Sequence, residues 1–141
     1  MSRPVIRKLL ETRLNAISPA LATAFENVAF TVVQKTPYQR VYLMFAEPEH
    51  PTMGGLPGSG TQLTRENGIL QSTLYYPENA GAAALEARVE LIRAQFYRGL
   101  VLTQGTVRVM VDKTPYTGRA FNEGGFFVVP VSIGFIADVY S

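Results

Sequence analysis

The chain has 141 residues, of which 47% are hydrophobic and 17% are charged, and its formal net charge at pH 7 is +2. These values suit one globular domain and exclude a disordered chain, and so small a net charge gives no argument for nucleic-acid binding. The sequence contains no cysteine, which excludes disulfides and thiolate metal sites, and no apolar run reaches the roughly 18 residues of a membrane span.

The N-terminal segment predicts an amphipathic helix that docks on the rest of the chain. Its apolar positions recur at helical spacing: Ile6, Leu10, Leu14 and Ile17. The segment is basic but lacks the uninterrupted apolar core of a signal peptide, so we expect synthesis in the cytoplasm and favour a docked helix over a transit peptide. Ser18-Pro19 ends this helix, and a short second helix through Leu21 and Phe25 is predicted to follow.

Two strands are predicted next. Residues 40–45 alternate, with Val41, Leu43 and Phe45 on one side and Tyr42 and Met44 on the other. A second strand runs from near residue 64 to residue 76. Its two faces carry different residues: Leu70, Ser72, Leu74 and Tyr76 on one, and Ile69, Gln71, Thr73 and Tyr75 on the other.

A helix follows this second strand, with Asn79 as the expected N-cap and Gly99 as the expected residue just beyond its C-terminal end. One apolar stripe runs along it: Leu85, Val89, Ile92 and Phe96. Glu90 and Arg93 lie away from that stripe and can pair. The stripe predicts a helix that packs on a sheet.

The C-terminal third predicts strands. Residues 100–103 and 106–112 form a hairpin around Gln104-Gly105, and residues 125–140 form a long final strand. Pro130 within that strand requires an edge position or a bulge. The order of elements therefore predicts an α+β fold, with a mostly antiparallel sheet and helices packed on one face, as a single domain over residues 1–141.

The other face of this sheet also carries apolar and aromatic side chains, such as Ile69, Tyr75 and Tyr42. Such a face needs cover. A neighbouring subunit and the N-terminal helix are equal candidates for that cover.

No arrangement of residues predicts catalysis. His50 is the single histidine and lies in a Pro/Gly-rich stretch, which is a poor mount for a general base. Glu47, Glu49 and His50 are a weak set of metal ligands. The stretch at residues 54–61, GGLPGSGT, lacks the lysine of a phosphate-binding loop. We therefore expect no enzyme activity, no cofactor and no metal.

The series of motifs resembles the tail terminator-like proteins of long-tailed bacteriophages and prophages, over nearly the whole chain. The motifs are AFENVAF at residues 24–30, TPYQRVYLMFAEPEHPTMG at residues 36–54, NGILQSTLYYPENAG with the later FYRG, VRVMVDKTP, and VVPVSIGFIADVY at the end. No one of them is a sharp signature, so the specificity lies in their order.

The resemblance implies a structural role. Such proteins form a ring, typically a hexamer, that caps the tail tube, stops its polymerisation and docks the head connector. It implies a virion protein at the head-proximal end of the tail, with copies of itself, the tail tube protein, a connector or neck protein and the tape measure protein as partners. DNA would only pass through the lumen, and no membrane is involved. The alternatives are another neck or minor tail protein, or a small nucleic-acid- or ligand-binding module.

Two open loops, residues 47–61 and 113–124, are predicted to be the assembly surfaces. Both are rich in Gly or Pro, so they add little to the fold. They nonetheless carry residue types that interfaces favour. The interface candidates are Met53 and Leu56 in the first loop, and Tyr116, Arg119 and Phe121 in the second.

Overall fold

Two helices and eight strands follow one another along the chain, and the computed structural model describes them over residues 2–49 and 63–140. The elements are α1 (Ser2–Asn15), β1 (Ala22–Ala24), β2 (Tyr38–Phe45), β3 (Leu63–Pro77), α2 (Ala83–Gln95), β4 (Val101–Gln104), β5 (Val107–Val111), β6 (Tyr116–Thr117), β7 (Phe121–Glu123) and β8 (Phe126–Tyr140).

All eight strands belong to one mixed sheet in a single domain, and the sheet curls into a half-barrel. Its order is β1-β2-β3-β8-β5-β4, and β6 and β7 pair with β8 as well. β1 runs parallel to β2, and the other pairs of strands are antiparallel. β3 and β8 have 15 residues each and pair along their full length, so they form the centre of the sheet.

The core lies between the two helices and one face of the sheet. The stripes of α1 and α2 join alternate residues of the strands in a single cluster, which includes Ile6, Leu10, Leu14, Leu85, Ile92, Phe96, Leu70, Leu74, Ile133 and Phe135. Both apolar stripes that the sequence predicted are thus buried. Since α1 packs into this cluster, the alternative in which it covers the opposite face is wrong.

Polar contacts fix α1 in place. Arg3 pairs with the buried Glu66 at 3.1 Å, and its guanidinium lies 4.4 Å from the centre of the Phe45 ring. Arg13 donates to the backbone oxygen of Gln95 at 2.8 Å, and the Gln95 amide donates back to the backbone oxygen of Arg13 at 2.9 Å. The basic N-terminal segment is therefore a docked helix.

The ends of α2 differ from the prediction. The helix begins at Ala83, and its N-cap is Ala82, which makes no side-chain cap hydrogen bond. Asn79 lies before it in a left-handed turn, at φ 65°. The C-cap is Phe96, and the N–H of Gly99 donates to the oxygen of Val111 at 2.7 Å. Gly99 therefore turns the chain into the next hairpin and does not end the helix.

Two stretches predicted as helix or loop are strands. The segment through Leu21 and Phe25 contains β1, which is held by a buried amide: Gln39 donates to the hydroxyl of Thr23 at 2.9 Å and accepts from Ser72 at 2.8 Å. Residues 113–124 form β6 and β7 rather than an open loop.

Pro130 lies in a central strand, not at an edge. Its carbonyl accepts a hydrogen bond from the N–H of Gly118 at 2.9 Å, so its nitrogen faces the same side of β8. Residues 118–120 connect β6 to β7 there and leave a gap in the pairing. The missing N–H of the proline therefore interrupts no ladder of hydrogen bonds.

Candidate functional site

The sheet face opposite the core exposes large apolar side chains from five strands. Directly paired residues of neighbouring strands point to the same face, and successive residues alternate. The registers Met44↔Ile69 and Ile69↔Gly134 place these residues on the side away from the core, and the other registers extend that side. We call it the open face. Its exposed members are Tyr42, Met44, Val101, Tyr116, Phe121 and Tyr140, each between 39% and 47% accessible.

Two of the predicted interface residues belong to the open face. Tyr116 pairs with Ser132 from β6, and Phe121 pairs with Val128 from β7, so both rings project on the same side of the sheet. Arg119 is exposed in the connection between those two strands. Met53 and Leu56 lie outside the described residues. The interface role of all five residues stays a prediction.

Two glycines shape the hairpin that carries Phe121. Gly124 and Gly125 form the turn from β7 into β8, with φ of +56° and +85°. Consecutive positive φ values are those of a tight hairpin turn that few side chains allow. This turn, together with the pairing to β8, gives Phe121 a defined direction that an open loop could not provide.

Part of the open face is covered by residues of the same chain. Tyr38, Phe126 and Val128 form a second apolar cluster, and Phe30 and Val32 from the segment between β1 and β2 pack against it. The rings of Tyr38 and Tyr75 stack at 4.5 Å. Burial, followed by the influence of Tyr38 and Glu123, raises the pKa of Tyr75 above its usual value of 10.0, so its hydroxyl stays neutral at physiological pH.

Some charges on the open face are held in place, and the exposed Arg108 and Glu123 also lie on it. Arg65 and Asp138 lie on it and pair through two hydrogen bonds, at 2.8 Å and 3.3 Å. The guanidinium of Arg40 lies 5.6 Å from the centre of the Tyr38 ring. The face therefore combines exposed apolar and aromatic side chains with several arginines, which are residue types that protein interfaces favour.

Two concave regions adjoin the strands β6 and β7. One has a volume of about 290 Å³ and is lined on the open face by Ile69, Asp112, Tyr116 and Gly134, among others. The other has a volume of about 640 Å³ and lies between α2 and residues 117–120. Its apolar side chains include Leu85 and Val89, and Glu86, Glu90 and Arg93 also line it.

No catalytic arrangement is found within the residues that the structure describes. These residues contain no group of three His, Cys, Asp or Glu side chains that could hold a metal ion. His50 lies outside them, while Glu49 accepts a hydrogen bond from Asn67 at 3.1 Å. Neither described helix is long and apolar enough to cross a membrane.

Sequence reasoning named the open face but not its extent. It placed Tyr42, Ile69 and Tyr75 there, and the alternation of β2 put Met44 on the same side as Tyr42. It missed Val101 and Tyr140 as exposed members. Val101 and Tyr140 could not be found this way, because their exposure depends on the positions of their strands in the sheet.

Comparisons with known proteins bear on the whole chain. A family model described as "Phage tail terminator protein" matches residues 5–135. One solved structure covers 100% of this chain and 99% of its own, with a TM-score of 0.75 and 26% sequence identity. No curated protein matches the chain at a significant level.

Proposed function

This chain belongs to the phage tail terminator family, and we propose that it forms a ring, expected to be hexameric, that caps the tail tube and stops its polymerisation. Membership makes it a structural protein of the phage tail and implies a location in the virion, with other tail or head components as partners. The family is structural and is not known to be enzymatic.

The observation that carries this proposal is the family match over residues 5–135. The open face supports it independently. Six large apolar side chains are exposed on one side of a single sheet, and an exposed apolar surface of this kind is available for contact with another protein. A protein whose work is assembly needs such surfaces, and a monomer that binds a small ligand does not.

The proposed ring sits at the head-proximal end of the tail. One side of it meets the last ring of the tail tube protein, with the tape measure protein as a further partner, and the other side docks the head connector or neck protein. DNA passes through its lumen. We assign contacts with neighbouring proteins to Tyr116, Arg119 and Phe121, which are exposed on β6, in the connection that follows it, and on β7. Met53 and Leu56 remain proposed contacts of the same kind.

Electron microscopy of particles made without the protein tests the function. A terminator predicts overlong tails that lack heads, whereas tails of normal length without heads would indicate a neck protein instead. Tails of normal length joined to heads would overturn the proposal.

The contact residues are tested by complementing the deletion with Tyr116→Ala and Arg119→Ala together. We expect a folded protein, judged by circular dichroism, that restores less than about a tenth of normal tails, because Tyr and Arg carry much of the energy of interfaces. Tyr97→Ala with Arg98→Ala is the matched control, since that aromatic-arginine pair is also exposed but follows α2. Full restoration by the first pair would exclude Tyr116 and Arg119 as contacts.

A further inference from the structure

Asp112, the residue after β5, has an unsatisfied carboxylate oxygen. Its Oδ1 is buried, and it has no hydrogen-bond partner among the residues that the structure describes. It lies over Gly134 of β8, where a built Cβ would come within 3.1 Å of it. The carboxylate thus occupies the space that this glycine leaves on the open face. A buried acceptor oxygen without a donor is costly, so this position is suited to a donor from outside the chain.

The surroundings of Asp112 suit one kind of donor. The carboxylate lines the cavity of about 290 Å³, whose walls include Ile69, Gly134 and Tyr116. Apolar walls that lead to one carboxylate accommodate a long aliphatic side chain with a cation at its tip, which is the shape of lysine. Lys113 also lines the cavity, but it makes no ion pair with Asp112.

The chain carries such a cation elsewhere. Lys35 is exposed in the segment before β2, and it has no hydrogen bond or ion pair in the described part of the protein. Val33 and Val28, in the same segment, are 59% and 60% accessible, the highest exposures of any large hydrophobic residue described. Lys35 is therefore an exposed cation in a segment that also exposes apolar side chains.

Lys35 cannot reach Asp112 of its own chain. It precedes the start of β2 at Tyr38, while Gly134 lies level with Met44 near the other end of that strand. Six residues of strand separate those two levels, which is about 20 Å. β3 also lies between β2 and β8. The surface around Lys35 and the cavity beside Asp112 are thus two different, complementary surfaces on distant parts of one molecule.

We propose that Lys35 of one copy enters the Asp112 cavity of the next copy, with Val28 and Val33 packing on the rim around it. Contacts between two different surfaces of identical chains are head-to-tail and close into a ring when the rotation permits. The contact rests on the proposed function, because it is the joint between adjacent members of the ring.

Zero-length cross-linking tests the contact directly. A carbodiimide joins a lysine amine to a carboxylate only when they touch. Unlabelled and ¹⁵N-labelled protein are mixed before assembly, and cross-linked peptides are identified by mass spectrometry. We expect a peptide pair joining Lys35 to Asp112 that contains one light and one heavy partner. Assembled rings without this pair, or a cross-link from Asp112 to a lysine of the tail tube protein, would overturn the proposal.

Charge variants provide a second test. Asp112→Asn and Lys35→Gln should each raise the dissociation constant between copies about tenfold, and the double variant should be no weaker than either single one, as for two groups that act only on each other. Lys113→Gln is the control and should change the constant less than twofold. Additive losses in the double variant would contradict a direct pair.

Exchanging the charges of Lys35 and Asp112 tests the contact by a gain of function. Lys35 has φ 62°, a backbone conformation that Asp adopts more readily than most residues, so Lys35→Asp should fold. Combined with Asp112→Lys, it should restore assembly that either change alone abolishes. If rings form and tails terminate while all these variants behave as wild type, the contact between Lys35 and Asp112 is refuted and the proposed function stands. If no ring forms in solution or on tube ends, the proposed function fails with it.

Discussion

Gly68 controls the packing of the core where β2, β3 and β8 lie side by side. It pairs with Phe45 on one side and with Phe135 on the other. The two rings meet edge to face, with their centres 5.9 Å apart. A Cβ built on Gly68 would lie 2.7 Å from Cζ of Phe135 and would collide with the carbonyl oxygen of Met44. The glycine therefore provides the room for an aromatic pair.

We predict that Gly68→Ala destabilises the protein by about 2–3 kcal/mol, because backbone and ring must both shift to admit one methyl group. The melting temperature, measured by calorimetry, should fall by roughly 5–10 °C. Gly124→Asn is the control: a Cβ there meets nothing within 4 Å, and Asn before Gly is favoured in such a turn. An unchanged melting temperature for Gly68→Ala would show that the strands separate easily at this point.

At the scale of residues, the sequence correctly predicted which residues of β3 share a face, but it did not predict the ends of α2. The alternation in β3 placed Leu70 and Leu74 in the core, as found. Asn79 and Gly99 were assigned to helix ends because both types occur there often. Each instead adopts a left-handed conformation in a connection, at φ 65° and 93°. Those residue types permit such a conformation wherever the chain needs it, so type alone could not decide between a helix end and a turn.

At the scale of elements, α2 is held by one buried stripe. Ile92 and Phe96 are fully buried, whereas Leu91 is 38% accessible on the other side of the helix. The same substitution at these two neighbouring positions therefore distinguishes the effect of burial from the effect of helix propensity.

We predict that Ile92→Asp leaves little soluble protein, since it places an unpaired charge in the core and costs more than about 4 kcal/mol. Leu91→Asp should cost about 1 kcal/mol or less. Soluble yield and thermal melts of the two variants provide the measurement. A soluble Ile92→Asp protein that melts like wild type would refute the packing of α2 described above.

The long elements could be predicted from sequence, and the short strands could not. The stripes of α1 and α2 and the alternation of β3 and β8 repeat several times, so their patterns exceed chance. β6 has two residues and β1 and β7 have three, too few for any periodicity. They are strands because β2 and β8 offer them pairing partners, which is a tertiary effect that the local sequence does not contain.

For the whole molecule, the two sides of the sheet have different roles. The core side is filled by both helices. The open face keeps Tyr42, Met44 and Tyr116 exposed although Phe30 and Val32 cover its far end. The sequence could predict that this second apolar face exists. It could not show that α1 packs on the other side and leaves the face uncovered, because the apolar stripe of a helix does not specify which surface receives it.

The last prediction separates assembly from stability. Tyr42→Glu together with Met44→Glu puts two charges on the open face, where both side chains are already 44–46% accessible. The loss of stability should be only about 1 kcal/mol, as for other exposed sites. Assembly should be lost, because a docked partner would bury both carboxylates without counter-ions. Leu91→Glu with Tyr97→Glu is the control, since it adds the same charge to apolar residues on and just after α2 that are 38% and 52% accessible.

Light scattering after gel filtration, and capping of purified tail tubes, provide the measurements. Wild type and the control should give a multiple of the 15.5 kDa chain mass, or should bind tube ends, while the open-face variant stays a folded monomer that does not bind. The opposite pattern would be equally clear. If the control loses assembly and Tyr42→Glu with Met44→Glu keeps it, the partners dock on the helical side, and the exposed residues of α2 rather than those of the open face form the contact.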